Sequence, residues 1–208
     1  MTAAETDSCY AAEEEFEIHV VPGATTKVRA TNLADCMKIT WEKVEGATKY
    51  DIYRDGEYML STSNLYCPDK DARYKNLQKF TYKVVAYTTV NKVKLESTEA
   101  RTTTYYRVMT VGVNTLSNTQ AGKLKVTYTT NPASTGYVVR YGQKADLSDG
   151  KTKTIFGANT NSYTITGVKK GTTYYVQVRT FVRKPVDGGG TFDYFSTYST
   201  IQHIKITK

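Results

Sequence analysis

Apolar and polar residues alternate in MKITW (37–41), and the same pattern returns 87 residues later as LKVTY (124–128). Met37, Ile39 and Trp41 share one face, as do Leu124, Val126 and Tyr128, and a period of two predicts half-buried strands. A loop containing Gly or Pro follows each, then a second alternating run that opens on tyrosine nine residues on: Tyr50 begins YDIYRDG and Tyr137 begins YVVRYG. Further along, FTYKVVAY (80–87) lies over YYVQVRTF (174–181) at an offset of 94, so the second copy has gained seven residues, which we place in YGQKADLSDGKTKTIFG. Helical periodicity of useful length is absent. Short runs of Val, Ile, Thr and Tyr between Gly, Asn and Asp turns predict an all-β chain built from two copies of one small sandwich.

The repeat divides the chain into residues 21–106 and 107–208, preceded by residues 1–20. ARTTTYYRVMTVGVNT, between the copies, has no Pro and no Ser-rich spacer. The last strand of the first copy is therefore expected to run almost directly into the first strand of the second, as a semi-rigid rod. Charge separates the first 20 residues from the rest. They hold six acids and no Lys or Arg, whereas the remainder holds 28 basic against 14 acidic residues. Such a body attracts polyanions in general, and the acidic leader reads as an arm or linker. No run is apolar and long enough to cross a membrane as a helix, and the first residues lack the form of a signal peptide.

Several stretches resemble fibronectin type III domains, from about Val21 to Lys208. In the first copy these are Pro22, the ITW ending at Trp41, GATKYDIYRDG (46–56) and FTYKVVAY. In the second they are LKVTY, STGYVVRY (134–141) and SYTITGVKKGTTYYVQVRTF (162–181). The resemblance implies two tandem seven-stranded immunoglobulin-like sandwiches, with Trp41 in the core of the first and Tyr128 in its place in the second. The wording is most similar to modules of secreted and surface proteins of Gram-positive bacteria. It implies a non-catalytic spacer and protein-interaction segment, extracellular or on the cell surface, without cofactor or metal and joined to other domains of a larger polypeptide.

Such sandwiches carry a tyrosine whose ring packs in the core and whose hydroxyl bonds nearby backbone. Tyr174 has that spacing, with Gly171 allowing a tight turn, and its hydroxyl donor is expected to find a carbonyl. Phe80 stands at the equivalent place in the first copy without a hydroxyl; its turn also lacks the glycine and is expected to be less regular, held by Tyr74 and Leu77. Counting from Trp41, Cys36 falls on the outward face. Cys67 lies in the fifth strand, which neighbours the second in this family. The two thiols are therefore either a surface disulfide or free, with Cys9 unpaired in the leader.

Parts for catalysis are scarce. His19 and His203 are the two histidines, and no GxSxG, HExxH, phosphate-loop or dinucleotide glycine pattern occurs. Three cysteines without a CxxC pair do not make a structural zinc site. DGGG (187–190) reads as the turn of a long hairpin. Binding has more material: 18 tyrosines, and TFDYFSTYS (191–199), where alternation puts Phe192 and Tyr194 on one face and Phe195 on the other, with Tyr198 beyond. These aromatics either stack on sugar rings or a protein partner, or simply form cross-strand pairs. The rival to the spacer reading is thus a carbohydrate- or cell-wall-polymer-binding module using the basic, tyrosine-rich second copy. Neither reading involves a specific nucleic acid, and the Arg-Gly-Asp adhesion tripeptide is absent.

Overall fold

A computed structural model describes residues 20–208, apart from the side chain of Tyr74; the leader assigned to residues 1–20 thus lies almost wholly outside the described residues, and so do Cys9 and His19. The first sandwich consists of β1 (Arg29–Asn32), β2 (Met37–Thr40), β3 (Lys49–Arg54), β4 (Glu57–Thr62), β5 (Tyr66–Asp69), β6 (Lys79–Val90), β7 (Val93–Glu96) and β8 (Arg101–Tyr106), with one 3-10 turn at Asp71–Tyr74. The second repeats it with β9 (Val113–Ser117), β10 (Lys123–Tyr128), β11 (Gly136–Gly142), β12 (Lys151–Phe156), β13 (Ser162–Thr166), β14 (Thr173–Pro185), β15 (Thr191–Phe195) and β16 (Gln202–Lys205).

Each sandwich faces a three-stranded sheet against a larger one. The orders are β1-β2-β5 against β4-β3-β6 with β7 and β8, and β9-β10-β13 against β12-β11-β14 with β15 and β16. All pairs are antiparallel. The seventh strand comes in two pieces in both copies, and serine sits at each break. In the first, Ser97 Oγ donates to the Glu99 carbonyl. In the second, the Ser196 and Ser199 hydroxyls accept the N–H groups of Thr180 and Val178, 3.1 Å each. These hydroxyls take over ladder bonds that a regular strand would make.

Inward-facing residues of both sheets fill each core: Met37, Ile39, Trp41, Ile52, Tyr82 and Val84 in one, Leu124, Val126, Tyr128, Val139, Val176 and Val178 in the other. Trp41 packs on Tyr50 at 5.4 Å between ring centroids, and Tyr128 on Tyr137 at 4.8 Å. Burial, and then the neighbouring Tyr137, push the Tyr128 phenol up to about 12. The length difference between copies sits where β3 turns into β4: two residues, Asp55 and Gly56, both at positive φ as this kind of tight hairpin requires, against residues 143–150 before β12.

Candidate functional site at the joint

The connection between the sandwiches, residues 107–112, is not strand, yet it is tightly held. Arg107 has no solvent exposure. Its guanidinium donates to the carbonyls of Leu33 (2.7 Å), Ala34 (3.1 Å), Cys36 (3.4 Å) and Arg73 (3.4 Å) and to Asn32 Oδ1 (3.2 Å). Carbonyl dipoles rather than a carboxylate thus accommodate the buried charge, and burial lowers the pKa of the group. Asn32, also buried, uses its whole hydrogen-bonding capacity. Its Nδ2 donates to the carbonyls of Tyr106 (2.9 Å) and Phe195 (3.1 Å), while Oδ1 accepts from Val108 N–H (3.1 Å) and Arg107. One carboxamide thereby ties β1, the connection and the end of β15 together.

Around it, Asn76 accepts from Met109 N–H and donates to Asn131, and the Thr110 and Thr197 hydroxyls bond each other. An apolar cluster closes the joint: Val108, Val182 and Tyr194, with Leu77, Tyr105 and Tyr106 packed on it. The Tyr194 ring stands edge-on to Tyr105 (4.9 Å) and Tyr106 (5.0 Å). The junction is therefore a hydrogen-bonded and packed joint rather than a continuous strand, which corrects the expected strand-to-strand run.

Bond for bond, the exit of the second sandwich repeats that of the first. Leu77 N–H donates to Arg107 O (2.6 Å) as Gly171 N–H donates to Ile206 O (2.8 Å), and Arg107 N–H meets Gln78 O as Ile206 N–H meets Thr172 O. Asn118 Oδ1 accepts from Thr207 N–H, as Asn32 accepts from Val108 N–H. Leu77 and Gly171 are equivalent, with φ of 64° and 83°. The first copy thus makes the same turn without a glycine, contrary to the less regular one expected from its sequence. Left-handed leucine costs about 1–2 kcal/mol, and the side chain so placed packs on the apolar cluster of the joint. Tyr74, paired with Leu77 in that expectation, has its side chain outside the described residues.

The tyrosine clamps are more numerous than the repeat revealed. The Tyr174 ring is buried, and its hydroxyl accepts from Lys169 N–H (3.4 Å) and Gln143 Nε2 (3.3 Å); it serves as an acceptor, so the expected bond to a carbonyl is replaced. Tyr50 and Tyr137, at the head of each β3-type strand, accept from backbone N–H six residues upstream, Val44 (2.9 Å) and Asn131 (2.7 Å). Phe80 is buried without a hydroxyl, but Tyr82, two residues on and on the same face, donates to Asp69 Oδ2 at 2.7 Å. Asp69 also receives Arg54 Nη1 on both oxygens and Ala72 N–H.

Tyr194 is buried in the joint and is not the exposed aromatic that strand alternation suggested. Phe192 is 49% exposed and leans on Tyr194 at 4.8 Å. Tyr198 lies on the other side of that sheet, where the Arg179 guanidinium is stacked between it (4.6 Å) and Phe195 (3.9 Å). The three candidate binding residues thus do not form one surface. Phe192 instead borders a groove of about 360 Å³ between the sandwiches, with Tyr105, Thr103, Val186 and Arg29. Sequence reasoning missed Asn32 and Arg107 altogether, and placed Leu77 in its own turn without its contact to the second sandwich. The one available signal was a non-glycine residue in the position of Gly171.

Cys36 is buried, not outward, because the alternation of β2 ends at Met37 in a turn where Leu33 N–H bonds Cys36 O (2.9 Å) beneath Arg107. Both thiols are free and buried. Cys67 pairs with Ile39 across the sheet, three positions from Cys36. That is about 10 Å along a strand, beyond the Cα separation a disulfide spans. Burial pushes the Cys67 thiol up from 9.0 to about 11. An acid with a raised pKa stabilises the fold below its unfolded value and loses that contribution as pH climbs through its folded value. Cys67 should therefore react with a thiol reagent only after unfolding at pH 8, and the urea midpoint should fall between pH 9 and 11, less steeply in Cys67→Ala. Fast alkylation of the native protein would contradict this burial.

One cluster has the residue types of serine–lysine chemistry: Ser61, Asp51 and Lys94 on the outer face of β3, β4 and β7. Lys94 pairs with both Asp51 and Glu96, and these hydrogen bonds raise its pKa, so it is a cation and not a base. His203 packs on the Tyr175 ring at 5.6 Å. Among the described residues, no group of three or more His, Cys, Asp or Glu side chains could hold a metal ion, and no helix is long and apolar enough to cross a membrane.

The sheet orders, with their edge strands and the repeated break in the seventh strand, decide the architecture. The fold is fibronectin type III-like. No family model matches the chain, and no curated protein matches it. Among solved structures it is similar to the FN1–FN3 domains of chicken contactin-1, at 16% identity and a TM-score of 0.46 over 90% of this chain and 66% of that one. The type III-like pair thus spans just under two thirds of that segment.

Proposed function

We propose that the chain is a non-catalytic spacer and protein-interaction segment of a larger bacterial extracellular or cell-surface protein. Residues 21–106 and 107–208 are its two units, and residues 1–20 an acidic arm. The observation that supports this most is the joint: Arg107, Asn32 and the Leu77–Tyr194 cluster spend buried polar and apolar groups on the relative placement of the two sandwiches. A spacer that transmits position needs such a joint, whereas two beads on a loose linker do not. The bacterial surface setting is supported by the wording of GATKYDIYRDG and GVKKGTTYYVQVR. The alternative, a carbohydrate- or cell-wall-polymer-binding module, retains the charge excess of the second unit as support. Its aromatic platform is weakened by the use of Tyr194 in the joint.

The test is small-angle scattering with paired spin labels, one per sandwich. The native chain should give one narrow inter-sandwich distance. Tyr194→Ala removes the ring that touches Tyr105, Tyr106 and Phe192 and should broaden that distribution while both sandwiches stay folded. A broad distribution in the native chain would sink the rigid-spacer reading.

A further inference from the structure

The break between β15 and β16 changes what the outer face of the second sandwich presents. Three residues apart, Phe195 and Tyr198 would stand on opposite faces of a regular strand. Ser196 and Ser199 hold the broken segment to Thr180 and Val178, and Thr197 bonds Thr110 in the joint. Phe195 and Tyr198 thereby both close on the Arg179 guanidinium, at 3.9 and 4.6 Å. Arg179 Nε is buried without a hydrogen-bond partner, and the group forms no ion pair among the described residues. A planar fork is thus fixed between two rings, and no carboxylate of the described chain takes it.

The row of rings continues across the sheet. Phe181 packs against Phe195 (5.6 Å) and Phe156 (5.8 Å), and Phe156 ends the row 59% exposed. Gly136 lies beneath: a Cβ there would strike the Ile155 carbonyl and come within 3.1 Å of the Phe181 ring. Thr152 and Thr154, both exposed, share the face of Phe156. On the strands, register gives this face Arg140, Arg179, Arg183 and Lys205 against one acid, Asp193, which Arg183 engages on both oxygens. The fold itself requires none of this. The first sandwich has the same break, with Val85, Glu96 and Glu99 where the second has Arg179, Phe195 and Tyr198.

We propose that this outer face binds a carboxylate-bearing polysaccharide, a polymer of uronate sugars, with Arg179 taking a carboxylate and Phe156 packing on a sugar ring. A guanidinium meets a carboxylate through two parallel N–H···O bonds, and rings on both of its faces leave its edge free to do so. Holding the fork in place beforehand lowers the entropy lost on binding. The apolar side of a sugar ring suits an exposed aromatic ring, and Thr152 and Thr154 supply hydroxyls beside it. The surplus of cations draws an anionic polymer to this face. An acidic peptide fits less well, because peptides add to a sheet edge or lie in a groove, and Arg179 stands on the interior strand β14.

The inference rests on the carbohydrate-binding reading of the second unit, carried by a different face, and not on the spacer reading. The full chain is titrated by calorimetry with an oligogalacturonate, its neutral methyl ester and an oligoglutamate of matched charge. The oligogalacturonate should bind more tightly than either of the others. Arg179→Gln should weaken its binding about tenfold, Arg179→Lys nearly as much because the fork is lost, and Phe156→Ala several-fold. The double change Lys123→Gln, Lys125→Gln, on the outer side of the opposite sheet, should leave binding unchanged. Circular dichroism checks that each variant is folded, and the exposed position of Phe156 keeps the test decisive if the Arg179 variants are not. Uronate binding indifferent to Arg179 and Phe156 would overturn this face while sparing the carbohydrate reading. Binding of no saccharide would overturn both. Equal binding of oligoglutamate, or equal loss with the lysine pair, would reduce the interaction to net charge and overturn the inference.

Discussion

Arg107→Met is expected to lower the unfolding free energy by on the order of 3–5 kcal/mol, read as a shift in the urea midpoint. The methionine keeps the stem and its packing but strips the partners from the buried carbonyls of Leu33, Ala34 and Cys36 and from Asn32 Oδ1. Each buried acceptor left alone costs about 1–3 kcal/mol, offset in part by water entering the turn. Arg107→Lys should recover little, because one ammonium cannot reproduce a planar fork that serves several carbonyls at once. The loss should concentrate in the first sandwich, whose β1–β2 turn the guanidinium caps, and appear as an earlier transition separate from the second. A shift smaller than about 1 kcal/mol would mean that the turn is held by its own Leu33–Cys36 hydrogen bond instead.

Asp69→Ile should be of similar size, about 3–5 kcal/mol, since it abandons both the Arg54 charge and the fully buried Tyr82 hydroxyl. The second copy indicates how to reverse it. Register places Asp69 opposite Met37 and Ile165 opposite Leu124, and Arg54 opposite Tyr82 as Tyr141 is opposite Val176. The polar triad Arg54–Asp69–Tyr82 thus occupies the place of Tyr141–Ile165–Val176. The triple replacement Arg54→Tyr, Asp69→Ile, Tyr82→Val should recover most of the lost stability, as apolar substitutes for buried ion pairs do, and should be far from the sum of the single changes. Denaturant titration of the single and triple variants measures this, and additive losses would refute the equivalence of the two triads.

Much of the fold was legible in the order of residues. Strands 37–41 and 124–128 and the hairpin turn at DGGG follow from alternation and turn chemistry, which act over a few residues, and the family resemblance added the core positions of Trp41 and Tyr128. The candidate site was not. Tyr194 and Phe192 share a strand face, but one is sealed by Tyr105 and Tyr106 of the other sandwich while its neighbour stays exposed. Parity assigned Cys36 to the surface because it assumes the strand continues; the chain turns there, and an arginine 71 residues away covers it.

By itself the sequence determined that this protein is a doubled β-sandwich, because a period of two and repeated turn signals are local and survive in one dimension. Only the tertiary structure decided which residues the two halves bring into contact. Asn32 and Arg107 are unremarkable where they stand in the chain, and Leu77 and Tyr194 give no sign there of facing each other. They become a joint when folding removes water from around them and obliges each buried donor and acceptor to find a partner, and those partners lie as many as 163 residues apart.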